Sequence, residues 1–200
     1  MKIKPEDLVL EADLKLKNNL YYVSGNDETY IKKVESIILK KLKNKGFGTY
    51  KYIGGVNEYN RGPNLFFESE IVIIDSINGV DETFLEVVEK NGDALIISSK
   101  NKPGDSALKK LFEKSKNLSM FICYELSRDL KVRLLNFYKN NKGLNIEKDA
   151  YWHLLDMMDN RFVFFEQEIQ KLSLINKENI NINLINKTLS IQENKNFERL

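Results

Sequence analysis

The sequence predicts an α/β protein: a five-stranded parallel sheet with helices on both faces, followed by a small all-helical domain. Three observations predict it. Between residues 20 and 123 short apolar runs alternate with amphipathic stretches, the runs lack strict polar alternation, and after Cys123 they stop. Strands without alternation are buried on both faces, and a helix between successive strands makes them parallel. With 200 residues, 42% of them apolar, the chain can build one large domain or a medium domain with a small companion.

Leu20-Tyr-Tyr-Val-Ser24 is the first strand, a β-branched and aromatic run that stops at Gly25. Asp27 to Lys45 follows with Ile31, Val34, Ile37, Ile38 and Leu42 at helical spacing, closed by Gly46 and Gly48. Tyr50 to Ile53 reads as the second strand, halted by Gly54-Gly55. Glu70 to Asp75 is the third and most apolar strand, Asp81 to Lys90 a short helix capped by Asp81, and Ala94 to Ser98 the fourth strand. Asp105 to Lys116 is a helix and Leu118 to Cys123 the fifth strand. Beyond it, Ser127 is an N-cap for a helix to about Asn141, and Lys142-Gly143-Leu-Asn145 is a polar break. Helices are expected over Glu147–Met158, Arg161–Leu174 and Ile182 to about Ser190, the second of them with Phe162, Phe165, Ile169 and Leu172 on one stripe. The expected division is residues 1–143 for the sheet domain and 144–200 for the helical one.

Several classes are set aside by composition. The longest apolar runs, Ile71–Ile74 and Asp93–Ile97, fall far short of the roughly 18 residues a membrane span needs, and no signal core follows Met1, so the expected location is the cytoplasm. Cys123 and His153 are each the only residue of their kind, which leaves no internal disulfide, no cysteine-based zinc cluster and no histidine pair. A net charge of +2 is close to balance, but residues 101–145 hold 10 basic and 4 acidic side chains. That stretch, with Lys102, Lys109, Lys110, Lys114, Lys116, Arg128, Arg133 and Lys139, is either a solvated basic face or a phosphate-contacting one.

A parallel sheet with a helical companion is the layout of many nucleotide-dependent machines, so the first strand-to-helix turn is where a phosphate cradle belongs. It reads Ser24-Gly-Asn-Asp-Glu-Thr-Tyr-Ile31: one glycine, no Gly-Lys-Ser/Thr, and two carboxylates, Asp27 and Glu28, at the helix start. Those carboxylates cap the helix and repel a triphosphate. The third strand ends in Asp75, placed like a magnesium-holding carboxylate, yet Ser76 stands where a catalytic glutamate is often found, and a turn residue is the plainer reading. His153, beside Trp152 in an expected helix, reads as a partly exposed structural residue. No catalytic, cofactor-binding or metal-binding residue is assigned. Between Gly55 and Glu70 a polar, turn-rich stretch is interrupted by Leu65-Phe66-Phe67. These three either fold onto the sheet as core or project as an anchor for a partner's pocket.

Taken in order, Tyr21-Tyr-Val-Ser-Gly25 with Tyr30-Ile31, Asn64-Leu-Phe66 ahead of Ile71-Val-Ile-Ile74, Leu95-Ile-Ile-Ser98, Cys123-Tyr-Glu-Leu-Ser127, and Asp149-Ala150 followed by Phe165-Glu-Gln-Glu-Ile-Gln-Lys-Leu172 resemble the delta subunit of bacterial DNA polymerase III. The likeness runs over nearly the whole chain. It implies a clamp-loader subunit with an AAA+/RecA-like domain that neither binds nor hydrolyses ATP, a small helical lid and a collar domain. This chain ends at Phe197-Glu-Arg-Leu200, before any collar, as a truncated or an unusually short member would. The implied sheet order puts the first strand between the fifth and the fourth, with the second at an edge.

The implied activity is binding the ring-shaped sliding clamp, the polymerase's beta subunit, and opening one of its interfaces during DNA replication. Other implied partners are the tau/gamma and delta prime loader subunits, with primed DNA reached through the complex, and polymerase catalysis belongs to the holoenzyme. By motif match Leu65 and Phe66 enter the clamp's hydrophobic pocket. Phe67 stands where the family has a small residue, and either adds clamp contact or packs inward. Two other readings stay open from the residues themselves: a P-loop-type nucleotide enzyme with degenerate motifs, and a DNA-binding module using residues 101–145.

Overall fold

In the computed structural model, which describes residues 2–11, 13–48, 50–59, 69–100, 107–175 and 179–189, the apolar runs become the strands of one sheet. In chain order the first elements are β1 (Lys2–Ile3), α1 (Pro5–Leu10), β2 (Leu20–Gly25), α2 (Glu28–Asn44) and β3 (Tyr50–Ile53). Then come β4 (Ile71–Ile74), α3 (Glu82–Lys90), β5 (Ala94–Ser99), α4 (Ala107–Lys114) and β6 (Leu118–Cys123). The sheet order is β1-β6-β2-β5-β4-β3, and every pairing is parallel. The first long strand thus lies between the fifth and the fourth, and the second is at the edge, as expected.

One correction concerns strand number. The sheet has six strands rather than five: β1 adds to the outer side of β6, pairing Lys2 with Met120 and Ile3 with Phe121. Two residues carry no period to read, which is why the sequence hid it. The helix after it was signalled only by its start, with Pro5 at the first position and Glu6 and Asp7 in the first turn.

Side chains alternate across a strand, so a fully buried strand feeds two cores. Tyr22, Val72, Ile74, Leu95, Ile97, Met120 and Ile122 gather on one face with Leu85 and Val88 of α3 and Leu108 and Phe112 of α4. Tyr22 and Phe112 meet there with ring centroids 5.7 Å apart. On the opposite face Tyr21, Ile71, Ile73, Ile96 and Phe121 are buried, as are Ile31, Val34, Ile38 and Leu42 of α2, which packs across β2, β5 and β6. Burying each such aliphatic or aromatic side chain stabilises by roughly 1.5–3 kcal/mol.

Contacts divide the chain at Tyr124/Glu125 into two compact units. The sequence boundary at 143/144 had left the helix after Ser127 with the sheet. Instead α5 (Arg128–Lys142) belongs to the second unit together with α6 (Lys148–Met157), α7 (Phe162–Ile175) and α8 (Ile182–Leu189). The reason is its buried side: Tyr138 of α5 donates to Glu166 of α7 at 2.8 Å, and Lys131 donates to the Met158 carbonyl after α6 at 2.7 Å. Ser127 caps α5 through the Leu130 amide, and Gly143 ends it in the left-handed conformation at φ 64°. Phe162, Phe165, Ile169 and Leu172 form the buried stripe of α7. An isolated parallel bridge, Ile146 with Ile180, ties the entries of α6 and α8. Among the described residues no helix is long and apolar enough to cross a membrane.

Candidate functional site

The turn from β2 into α2 is hydrogen-bonded shut. The amides of Asn26 and Asp27 both donate to the Cys123 carbonyl, at 3.1 and 3.3 Å. Asp27 is 1% exposed, and its Oδ1 accepts from the Thr29 amide at 2.9 Å, the Thr29 hydroxyl at 2.6 Å and the Tyr30 amide at 3.1 Å. A phosphate cradle works by turning such amides toward the ligand. Here four of them serve protein oxygens, and a buried carboxylate takes the helix end an anion would occupy. Gly25, at φ 153°, lets β2 run close to β6: a Cβ there would lie 1.8 Å from the Cys123 oxygen. Strand pairing and turn closure therefore depend on the same carbonyl.

Beside this turn, where β3, β4 and β5 end, lies a cleft of about 450 Å³ lined by Glu28, Lys32, Tyr52, Asp75, Ser98 and Lys100, among others. Glu35 of α2 ties its walls, accepting from the Tyr52 hydroxyl and the Ser98 hydroxyl, each at 2.8 Å. Asp75 follows β4 and is exposed. The cleft mixes carboxylates with lysines, so the carboxyl ends of the strands present no single sign of charge to a polyphosphate.

Leu65, Phe66 and Phe67 lie outside the described residues, which break off after Tyr59 and resume at Ser69. Both flanks are held by one carboxylate. Asp93, 2% exposed at the start of β5, accepts from the Tyr59 hydroxyl at 2.7 Å and from the Glu70 amide at 2.9 Å. Tyr59 also stacks edge-on against Phe84, with centroids 5.5 Å apart, and accepts from Asn91 at 2.9 Å. On the return side Lys51 pairs with Glu70 at 3.3 Å and sits 5.7 Å from the centre of the Tyr59 ring. The Gly48 amide donates to the Ser69 carbonyl, and the Ala94 amide to that of Glu70. Sequence reasoning missed Asp93, because an Asp after Asn91-Gly92 looks like any turn residue. Its one signal was position, a carboxylate directly ahead of the apolar run Ala94–Ile97.

The remaining sequence candidates are dispersed. The basic stretch divides between the two units, with Lys109, Lys110, Lys114 and Lys116 in or just after α4 and Arg128, Arg133 and Lys139 on α5. Arg128 is paired with Asp156 at 3.1 Å, and Lys102 lies outside the described residues. His153 is half-buried and meets Asn186 at 2.7 Å, a contact between α6 and α8. Cys123 is buried, which pushes its thiol up and leaves it unreactive.

These features define a parallel α/β unit whose first long strand-to-helix turn is closed by the protein's own groups, followed along the chain by a helical unit. The DNA clamp loader delta protein (YqeN) of Bacillus subtilis has this fold, with a TM-score of 0.55 over 92% of this chain at 16% identity. The likeness is one of fold, to a member of the family that the motifs resemble, and the chain spans 60% of that protein's length. The Holliday junction branch migration motor RuvB of Thermotoga maritima matches with a TM-score of 0.48 and 11% identity, over 86% of this chain and 61% of RuvB. Domain III of the T. maritima replication initiation protein DnaA matches with 0.49 and 11%, over 94% of this chain and 90% of that domain. No protein-family model and no curated protein matches the sequence.

Proposed function

We propose that this chain is a clamp-loader subunit of the delta type, which binds a ring-shaped sliding clamp through Leu65 and Phe66 and opens one ring interface without hydrolysing ATP. The observation that carries the reading is the closed β2–α2 turn in this fold. A nucleotide-driven member needs those amides for phosphate, whereas here Asn26, Asp27, Thr29 and Tyr30 spend them on Cys123 and Asp27. The ordered motifs and the fold shared with the B. subtilis protein support the same assignment. The other loader subunits and primed DNA are partners on this reading, and Phe67 stands next to the anchor pair.

Calorimetric titration with the sliding clamp of the same organism tests it. The wild-type chain binds, and the double variant Leu65→Ala/Phe66→Ala loses at least about 30-fold in affinity, since truncating one interface hot spot costs roughly 2–4 kcal/mol. Its melting temperature stays close to wild type. A marked fall in melting temperature with clamp binding intact in the folded fraction would make the pair core and overturn the site.

A further inference from the structure

The second unit buries two titratable side chains, a lysine and a glutamate, to which the proposed function gives no role. Lys131 of α5 is 7% exposed and Glu168 of α7 is 3% exposed. The Lys131 ammonium donates to the carbonyls of Met158 at 2.7 Å and Leu155 at 3.4 Å, groups that α6 leaves open at its C-terminal end. The negative end of the helix dipole favours a cation there and opposes the burial that lowers the Lys131 pKa.

Glu168 has no such support. The Asp159 amide serves its carboxyl, but Oε2 has no hydrogen-bond partner. The neighbouring acids have cationic partners of their own: Arg161 holds Asp159 at 2.6 Å, and Arg128 holds Asp156 at 3.1 Å. Lys171 lies on the same helix, Lys187 on α8, which packs against α7, and Tyr138 of α5 bonds Glu166 two residues earlier in α7. A buried carboxylate with a bare oxygen is far more costly than a buried neutral acid.

We propose that Glu168 carries a proton in the folded second unit and gives it up when the unit unfolds, so that rising pH weakens the folded state of this unit. Burial pushes the carboxyl up to about 7, with the Asp159 charge adding to the rise and the Asp159 amide, Lys171 and Lys131 opposing it. In the unfolded chain the group returns to its ordinary value of 4.5. The proton's stabilisation is complete below that value and is lost as pH rises through about 7, by up to tenfold in the folding constant per pH unit.

Urea unfolding of the whole chain and of Glu168→Gln at pH 5 and pH 8 reads the effect. The wild-type folding constant should fall by about 50- to 100-fold relative to that of Glu168→Gln over this interval. A ratio that stays constant would overturn the proposal. A second measurement needs no variant: the Glu168 carboxyl resonance of wild-type chain labelled with carbon-13 glutamate should titrate with a midpoint above pH 6, and a midpoint below 5 refutes a folded-state proton.

Discussion

Replacing Asp93 with Ala removes an acceptor that both flanks of residues 60–68 share. The bonds lost are those from the Tyr59 hydroxyl at 2.7 Å and the Glu70 amide at 2.9 Å. Hydrogen bonds to a charged group contribute roughly 1.5–3 kcal/mol each, so the pair is worth about 3–6 kcal/mol. Tyr59 keeps its bond from Asn91 and its edge contact with Phe84, which puts the expected loss of unfolding free energy near the lower figure, about 3 kcal/mol. Urea denaturation of Asp93→Ala, Tyr59→Phe and the double variant separates the Tyr59 share, with a coupling of about 1 kcal/mol or more expected between the two sites. On the proposed function the folded fraction of Asp93→Ala also binds clamp about tenfold or more weakly. Each residue freed at the flanks must be ordered again on binding, at roughly 1–2 kcal/mol. A stability loss below about 1 kcal/mol with additive single variants would show that Asp93 does not join the two ends.

The closed turn makes two further predictions. Gly25→Ala places a methyl 1.8 Å from the Cys123 oxygen, so β2 and β6 must part; circular dichroism melting should show a fall of many degrees, and an unchanged melting temperature would contradict the close approach. Calorimetry with ATP and magnesium should show no binding in the millimolar range, because Asp27 and its bonded amides occupy the phosphate position; millimolar or tighter binding would revive the nucleotide-enzyme reading.

Elements with a strong local signature were legible from the sequence. The caps Asp27, Asp81 and Ser127 are where the residues put them, each accepting an amide of its own helix. The apolar runs gave β2, β4, β5 and β6, and the stripe of α7 is buried as spaced. What escaped depends on partners remote in sequence. β1 exists because Met120 and Phe121 offer it an edge, α5 joins the second unit because Tyr138 finds Glu166, and Asp93 matters because Tyr59 and Glu70 converge on it. The missing Gly-Lys-Ser/Thr was visible in the sequence. That the turn's amides are consumed by Cys123 and Asp27 took the fold to see, since Cys123 is nearly a hundred residues away along the chain.

Closure of that turn constrains how the proposed activity can work. A protein that takes no energy from nucleotide shifts a ring between closed and open only by binding the open form more tightly, and the shift equals the ratio of the two affinities. An anchor that fills the same pocket in both forms adds affinity to each and moves nothing. Leu65 and Phe66 would therefore provide attachment, while opening has to come from contacts made with only one form of the ring. A clamp variant with a weakened ring interface separates these roles: it should bind this chain more tightly than the native ring does. Leu65→Ala/Phe66→Ala should weaken binding to both rings by the same factor and leave the ratio between them unchanged. A ratio that collapses with the anchor would place the opening force in Leu65 and Phe66 themselves.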